Sequence, residues 1–538
     1  MSATTTSSLT ALARDRVPPY GRTALLGRLL GPVRRLGPLG WILPLVVTLL
    51  AGVLRFWNLD HPHAFTFDET YYVKDAYALL QSGYERQWDE DANEAYLAGN
   101  PAPLASAAYV VHPPLGKWLI AVGMLLFGPE HGFGWRFSSA VAGTLSVLLV
   151  ALIAQRLFSS APLGGVAGLL TAVEGHHLVM SRTALLDIFQ MFFVLAAFYA
   201  LLLDREHGRR KLSSRLSADV LRPDPGARTD ALLYGPWLAF RPWRGAAGLM
   251  LGGAVGVKWS ALAFVAVFGL MTVLWDVQAR RVAGIRRWLV AGLFRDGIPA
   301  FVAIVPTAAL AYVATWAGWL TTNGGYDRQW AAEHPESAWP GVPAALRSLT
   351  EYHRSAYEFH QGLNSDHSWE SGPWTWLAAG RPVLFYYVGS ERGEGSCVSA
   401  NCAAVVTDLP NPFIWWAAAL SLAVVLLFWA GGRDWRAGAV LSGVLAGFGP
   451  WFGYPDRTMF FFYTIVFQPF MVLSLTYVLA LVAGRPGSPP DRRRAGFVAV
   501  AAFLVLVILV SAFFWPVWTG ETIPLEQWTL RRWMPSWG

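Results

Sequence analysis

Two adjacent carboxylates, Asp68 and Glu69, stand among aromatics in the segment Phe67-Asp68-Glu69-Thr70-Tyr71-Tyr72. The chain around them is 54% hydrophobic and only 14% charged, so acidic groups beside an apolar run call for an explanation. A solvated loop is one explanation; a general base for a hydroxyl nucleophile is the other. Cations recur nearby in His112-Pro113-Pro114-Leu115-Gly116-Lys117, then Gly134-Trp135-Arg136, Ser181-Arg182-Thr183-Ala184-Leu185-Leu186-Asp187 and Lys258-Trp259. A carboxylate beside several cations suits group transfer from a lipid phosphate. The carboxylate removes the acceptor's proton while Arg or Lys stabilises the departing phosphate. The alternative for Arg136, Arg182 and Lys258 is that each merely reaches to lipid headgroups.

The elements that position these groups read as membrane-spanning helices. In a chain of 538 residues, apolar runs near 39–57, 134–156, 161–181, 183–203, 243–259, 260–276, 297–319, 413–430, 437–453, 460–483 and 496–515 predict eleven spans. Many of the 27 tryptophans, among them Trp41, Trp57, Trp259, Trp316 and Trp515, stand at the ends of these runs, as in interfacial aromatic belts. Leu115 to Phe127 is too short to cross and carries Lys117, so it reads as an interfacial helix. Counted this way, Arg-rich stretches in the N-terminal tail, 204–244, 277–296, 431–436 and 484–495 share one side. Positive-inside then predicts a cytoplasmic N-terminus, an extracytoplasmic C-terminus and a multi-pass protein of the cell membrane. The same clusters account for the net charge of +7 without nucleic acid, and no basic-aromatic module of that kind is present.

The domain organisation that follows is a disordered basic cytoplasmic tail at 1–38, a transmembrane catalytic domain at 39–515 and an extracytoplasmic tail at 516–538. The catalytic domain carries two long outer loops, 58–133 and 320–412, whose aromatic content argues against disorder. No internal repeat of the transporter kind is evident. Cys397 and Cys402 are the chain's two cysteines and lie in the second outer loop. They read as a disulfide in an oxidising compartment or as two unrelated thiols. Asp68 and Glu69 offer oxygen ligands, but no spaced His/Asp constellation makes a metal site. The expectation is therefore no required cofactor.

Phe67-Asp68-Glu69-Thr70-Tyr71-Tyr72, His112 to Lys117, Trp135-Arg136-Phe137, Ser181 to Asp187 and Val257-Lys258-Trp259 occur in the order found in protein O-mannosyltransferases. Tyr352-His353-Arg354, Tyr357 to His360, Ser371 to Trp376, Arg381-Pro382-Val383 and Asp456 to Tyr463 resemble the bacterial, actinobacterial-type branch of that family. The resemblance covers nearly everything after about residue 40. It implies an all-α polytopic GT-C fold of about eleven helices and an outward-facing site. The donor would be polyprenyl-phosphate mannose, and the acceptors Ser or Thr of secreted proteins or lipoproteins, with a possible link to the secretion channel. By this similarity Asp68 is the catalytic base with Glu69 beside it. Arg136, Lys258, Arg182, His112 and Lys117 would bind the donor phosphate. Tyr71, Asp187, His353, His360, Trp374 and Arg457 are assigned contacts to donor or acceptor. Glu174-Gly175-His176-His177 departs from the family pattern, so His176 and His177 receive no catalytic role, and the β-trefoil of eukaryotic members is missing. Rival readings are a GT-C enzyme with a lipid or glycan acceptor, and a lipid-linked sugar transporter. Transport would need charges inside the spans, where Asp187 is the main candidate.

Overall fold

The computed structural model describes residues 20–31, 36–337, 340–485 and 487–538. Helices stand at each of the expected spans, and seven described helices are long and apolar enough to cross a membrane, from Leu39–Phe56 to Pro490–Thr519. Four expected spans are shorter helices, Ala161–Ala172, Pro242–Val257, Trp435–Phe448 and Gln468–Ala483. Local chemistry explains three of these interruptions. Glu174 accepts from the His177 backbone N–H and so starts a separate helix, Gly175–Ser181. Pro450 opens the 3-10 turn Gly449–Gly453, and Pro469 sits in the first turn of Gln468–Ala483, where its missing N–H costs nothing. The segment Leu115–Phe127 forms the expected short helix.

The chain divides into two compact units. One comprises residues 1–35, 200–246 and 269–304. The helix Asp187–Val220 runs well past the expected end at 203, and its polar continuation is folded, with Leu212 and Leu216 buried beside Leu25 and Leu29. Leu25 and Leu29 belong to a helix, Arg22–Leu30. The expectation of a disordered tail over 1–38 therefore fails for this stretch, because two leucines four residues apart give it an apolar stripe to bury; residues 1–19 and 32–35 lie outside the described residues. Arginines read as topology signals are also buried here. Arg241 donates to Asp204 and Asp276, Arg244 donates to the same two carboxylates, and Arg280 pairs with Asp296.

The second unit holds residues 36–199, 247–268 and 305–538, and all the candidate chemistry. It contains a feature the helical reading lacks, an antiparallel sheet of β1 (Leu384–Glu391), β2 (Asn401–Thr407) and β3 (Thr522–Pro524), in the order β1-β2-β3. The C-terminal residues are thus not a free tail: β3 pairs with β2, and Trp537 is buried. A disulfide joins Cys397 to Cys402 at the β1–β2 hairpin.

The loop after the first span is pinned by one ion pair. Glu69, 0% exposed, accepts from Arg136 Nε and Nη2 at 2.8 Å each, from the Ala184 N–H at 2.8 Å and from the Thr66 N–H at 2.9 Å. The bond from the Thr66 N–H closes the turn that leads into the helix Glu69–Ser82, whose N-cap is Asp68. Arg136, 1% exposed, sends its remaining donors to the carbonyls of Leu59, Asp60, Pro62 and Ala64. All five guanidinium N–H groups are satisfied. Removing one partner strands a buried charge, so Arg136→Ala or Glu69→Ala is expected to cost about 3–5 kcal/mol, read as a lower melting temperature in detergent. The double variant is expected to fall well short of the sum. Additive losses would mean that the pair is not coupled.

Candidate active site

Asp68 is aimed by a strained residue. Phe67 adopts φ 49°, a left-handed conformation that a bulky side chain rarely takes. Its surroundings hold it there. The Phe67 N–H donates to the Phe385 carbonyl of β1 at 3.0 Å, and the two rings stack at 5.1 Å. Phe460, Phe462 and His367 meet the same ring edge-on. Asp68 follows at the head of the helix Glu69–Ser82, partly exposed. Burial pushes its carboxyl up to about 6; the Lys258 charge opposes the shift and the Asp187 charge adds to it.

Next to these charges lies a cavity of about 340 Å³ lined by His112, Asp187, Gln190, Lys258, Trp259, Ser260, His360, Trp451, Arg457 and Tyr463, among others. Leu262, Ala263, Phe264, Ala446 and Val466 give it an apolar side. Lys258 reaches it because the chain is extended between the helix Pro242–Val257 and the 3-10 turn Trp259–Ala261. Its Nζ donates to Asp187 at 2.7 Å and faces the rings of Phe462 and Tyr463 at 5.7 and 5.3 Å. Asp187 begins the helix Asp187–Val220, where a carboxylate is favoured by the helix dipole. Gln190, one turn on, donates to the Lys258 carbonyl at 2.9 Å.

Arg457 is the cavity's less committed cation. It donates weakly to His360, at 3.3 Å to the carbonyl and 3.4 Å to Nδ1, and stacks near Trp451 and Tyr463. Its Nη1 is buried and has no partner among the described residues. His360 donates from Nε2 to the Val111 carbonyl at 2.9 Å and stacks on His112 at 5.2 Å. Burial lowers both histidines, with Lys258 and neighbouring positive groups adding to the effect, so they face the cavity uncharged.

Three expected phosphate ligands are placed elsewhere. Arg136 is saturated by Glu69 and its carbonyl cradle, and Glu69 has no free oxygen for a substrate. Arg182 donates to the carbonyls of Arg55, Trp57 and Asn58, closing the end of the first span. Lys117 is 1% exposed, pairs with Glu85 and donates to the His112 carbonyl at 3.2 Å. It therefore holds His112 in place and does not reach the cavity. His353 accepts from the Tyr312 hydroxyl, which accepts from Trp259 Nε1 at 3.0 Å, and stacks on the Trp259 ring at 5.4 Å. Its work is to orient Trp259. Tyr71 and Trp374, 64% and 82% exposed, are not cavity residues. Those that do converge are Asp187, His112, Lys258, His360 and Arg457; Asp68 is not a lining residue and is tied to the cavity through the charges of Lys258 and Asp187.

Gln190, Trp451 and Tyr463 were not anticipated; Gln190 had a signal in its spacing, one turn after Asp187. His176, which has no catalytic role in the sequence reading, is held at both ring nitrogens: its Nδ1 meets Asp408 at 2.6 Å and its Nε2 meets Thr464 at 3.1 Å. It braces the 3-10 turn Phe461–Val466 that carries Phe462 and Tyr463. No group of three His, Cys, Asp or Glu among the described residues is arranged to hold a metal.

Two family models match the chain, "Dolichyl-phosphate-mannose-protein mannosyltransferase" over residues 111–215 and "C-terminal four TMM region of protein-O-mannosyltransferase" over 345–537. A polyprenol-phosphate-mannose–protein mannosyltransferase of Mycolicibacterium smegmatis is 39% identical, covering 98% of this chain and 100% of that protein. Its namesake in Corynebacterium glutamicum is 33% identical over 91% of this chain and 92% of its own length. The yeast protein O-mannosyltransferase Pmt1-Pmt2 complex bound to the sugar donor superposes with a TM-score of 0.69, at 14% identity, covering 96% of this chain and 94% of that one. That likeness gives the GT-C fold expected from the motifs. Near-full-length identity to these bacterial enzymes, with the motif order intact, makes this chain a member of the polyprenol-phosphate-mannose–protein mannosyltransferase family.

Proposed function

We propose that this protein transfers mannose from polyprenyl-phosphate mannose to a Ser or Thr hydroxyl of an exported polypeptide, with inversion at the anomeric carbon. The observation that carries the reading is a carboxylate, Asp68, poised beside a cavity with two cations and an apolar side. Asp68 takes the hydroxyl proton as the oxygen attacks the anomeric carbon. The bond from that carbon to the phosphate oxygen breaks on the opposite face, and the β-linked mannosyl phosphate becomes an α-linked glycoside. The proton leaves Asp68 to water after release. Arg457 and Lys258 take the charge that develops on the departing phosphate, and neutral His112 and His360 offer contacts without competing charge. Leu262, Phe264 and Val466 accept the first part of the prenyl chain. The residues that do this work are cations and one carboxylate, so the scheme invokes no cofactor.

A base must be unprotonated to act. With its carboxyl raised to about 6, kcat/KM is expected to climb with pH through that region and to level off above it. Asp68→Asn is expected to lose about 10²–10⁴ in rate and to abolish the pH step. A wild-type rate in Asp68→Asn would remove Asp68 as the base.

Arg457 is expected to contribute more than Arg136 to the leaving group. Arg457→Ala is expected to lower kcat by about 10²–10³, the scale for losing a transition-state donor, while leaving the melting temperature near wild type. Arg457→Lys keeps the charge and loses the planar fork, so it should recover only part of the rate. An Arg457→Ala enzyme with full activity would return the phosphate to Lys258 alone.

The site is proposed to face outward, with 204–242 on the cytoplasmic side. Both native cysteines are bonded, so single cysteines report cleanly. In intact cells an impermeant maleimide is expected to label Gln81→Cys and spare Thr229→Cys. The reverse pattern would invert the topology.

A further inference from the structure

We infer that the acceptor polypeptide binds as an added strand on the free edge of β1, which delivers its Ser or Thr to Asp68. The inference rests on the protein-acceptor reading above. β1 lies at the edge of the sheet, with β2 on one side. The register pairs Ser390 with Cys402, Val388 with Ala404 and Tyr386 with Val406. At the hairpin end the Glu391 N–H turns away to Glu394 Oε2 at 2.8 Å, so Glu391 is a wide pair. In an antiparallel ladder the sense alternates. Ser390, Val388 and Tyr386 therefore bond β2, while Gly389 and Tyr387 turn their N–H and C=O groups to the open edge. Those groups have no backbone partner among the described residues, and Tyr387 and Val388 are 48% and 46% exposed.

The edge is already used once, at its active-site end. A bulge between Leu384 and Tyr386 turns the Phe385 carbonyl outward, and it accepts from the N–H of Phe67, the residue before Asp68. A strand paired at Gly389 and Tyr387 thus runs in line with Phe67. Two residues past Tyr387, about 7 Å at a strand's rise, it meets Phe67 and must leave the edge beside Asp68. The Tyr387 ring packs against Trp528 at 5.4 Å, which leaves its backbone groups at the edge. The segment Leu384–Glu391 holds no Pro or Lys, the residues that usually protect an exposed edge.

The test uses wild-type enzyme in detergent with saturating polyprenyl-phosphate mannose and a single-Thr peptide, N-methylated at one backbone amide at a time. Methylation at every second position on one side of the Thr is expected to raise the peptide KM about five- to tenfold, and the positions between to have little effect. Gly389→Pro removes an outward N–H without touching the β1–β2 ladder. It is expected to raise the peptide KM about tenfold and to leave the donor KM unchanged, which also reports an intact fold. Indifference to methylation at all positions overturns the inference and leaves the transferase reading standing. So does a Gly389→Pro enzyme whose only change is lost self-association, which would give the edge to a second copy. No transfer to the unmethylated peptide would overturn both.

Discussion

The buried pair of Glu69 and Arg136 is the constraint on which the catalytic face depends. A guanidinium with 1% exposure and no water to solvate it must find an acceptor for every N–H, and it finds them in one carboxylate and four carbonyls of the loop before Asp68. The same carboxylate accepts from Ala184, in the turn that leads to Asp187. One ion pair therefore fixes the loop before Asp68, the start of the helix Glu69–Ser82 and the approach to Asp187 together. Asp68 is placed by its neighbour, whose carboxylate is fully occupied.

Two adjacent carboxylates thus divide the labour by environment. Glu69 is paired with Arg136 and fully engaged by N–H donors, while Asp68 sits under desolvation beside Lys258 and Asp187 with its affinity for a proton raised. Desolvation against a single nearby cation produces a carboxylate suited to accept a proton near neutrality, whereas both oxygens of Glu69 are occupied by N–H donors. The strain at Phe67 belongs to the same design, since the aromatic cluster of Phe385, Phe460 and Phe462 over-determines its backbone and so sets the direction of Asp68.

The second half of the chain closes the site from the other side. Asp408 and Thr464 grip His176, which braces the turn carrying Phe462 and Tyr463 over Lys258. His353 acts through Tyr312 on Trp259. His176 and His353 thus serve to orient aromatic walls, each through contacts at both ring nitrogens.

Apolar run lengths were sufficient to place the helices, because burial in lipid imposes a composition that one residue after another must obey. The breaks at Glu174, Pro450 and Pro469 were written in capping and proline chemistry but were masked by continuous hydrophobicity. What the linear chain left open was which of several similar cations serves the substrate. Arg136, Arg182, Lys117, Lys258 and Arg457 look alike beside an apolar run, yet three are neutralised by carbonyls or carboxylates from distant segments and two line the cavity. The sheet was equally hidden, since β3 lies more than a hundred residues from β2 and strand pairing depends on a partner that local sequence does not carry. Composition decides where a side chain is tolerated; only the packed structure decides whether its charge is already answered.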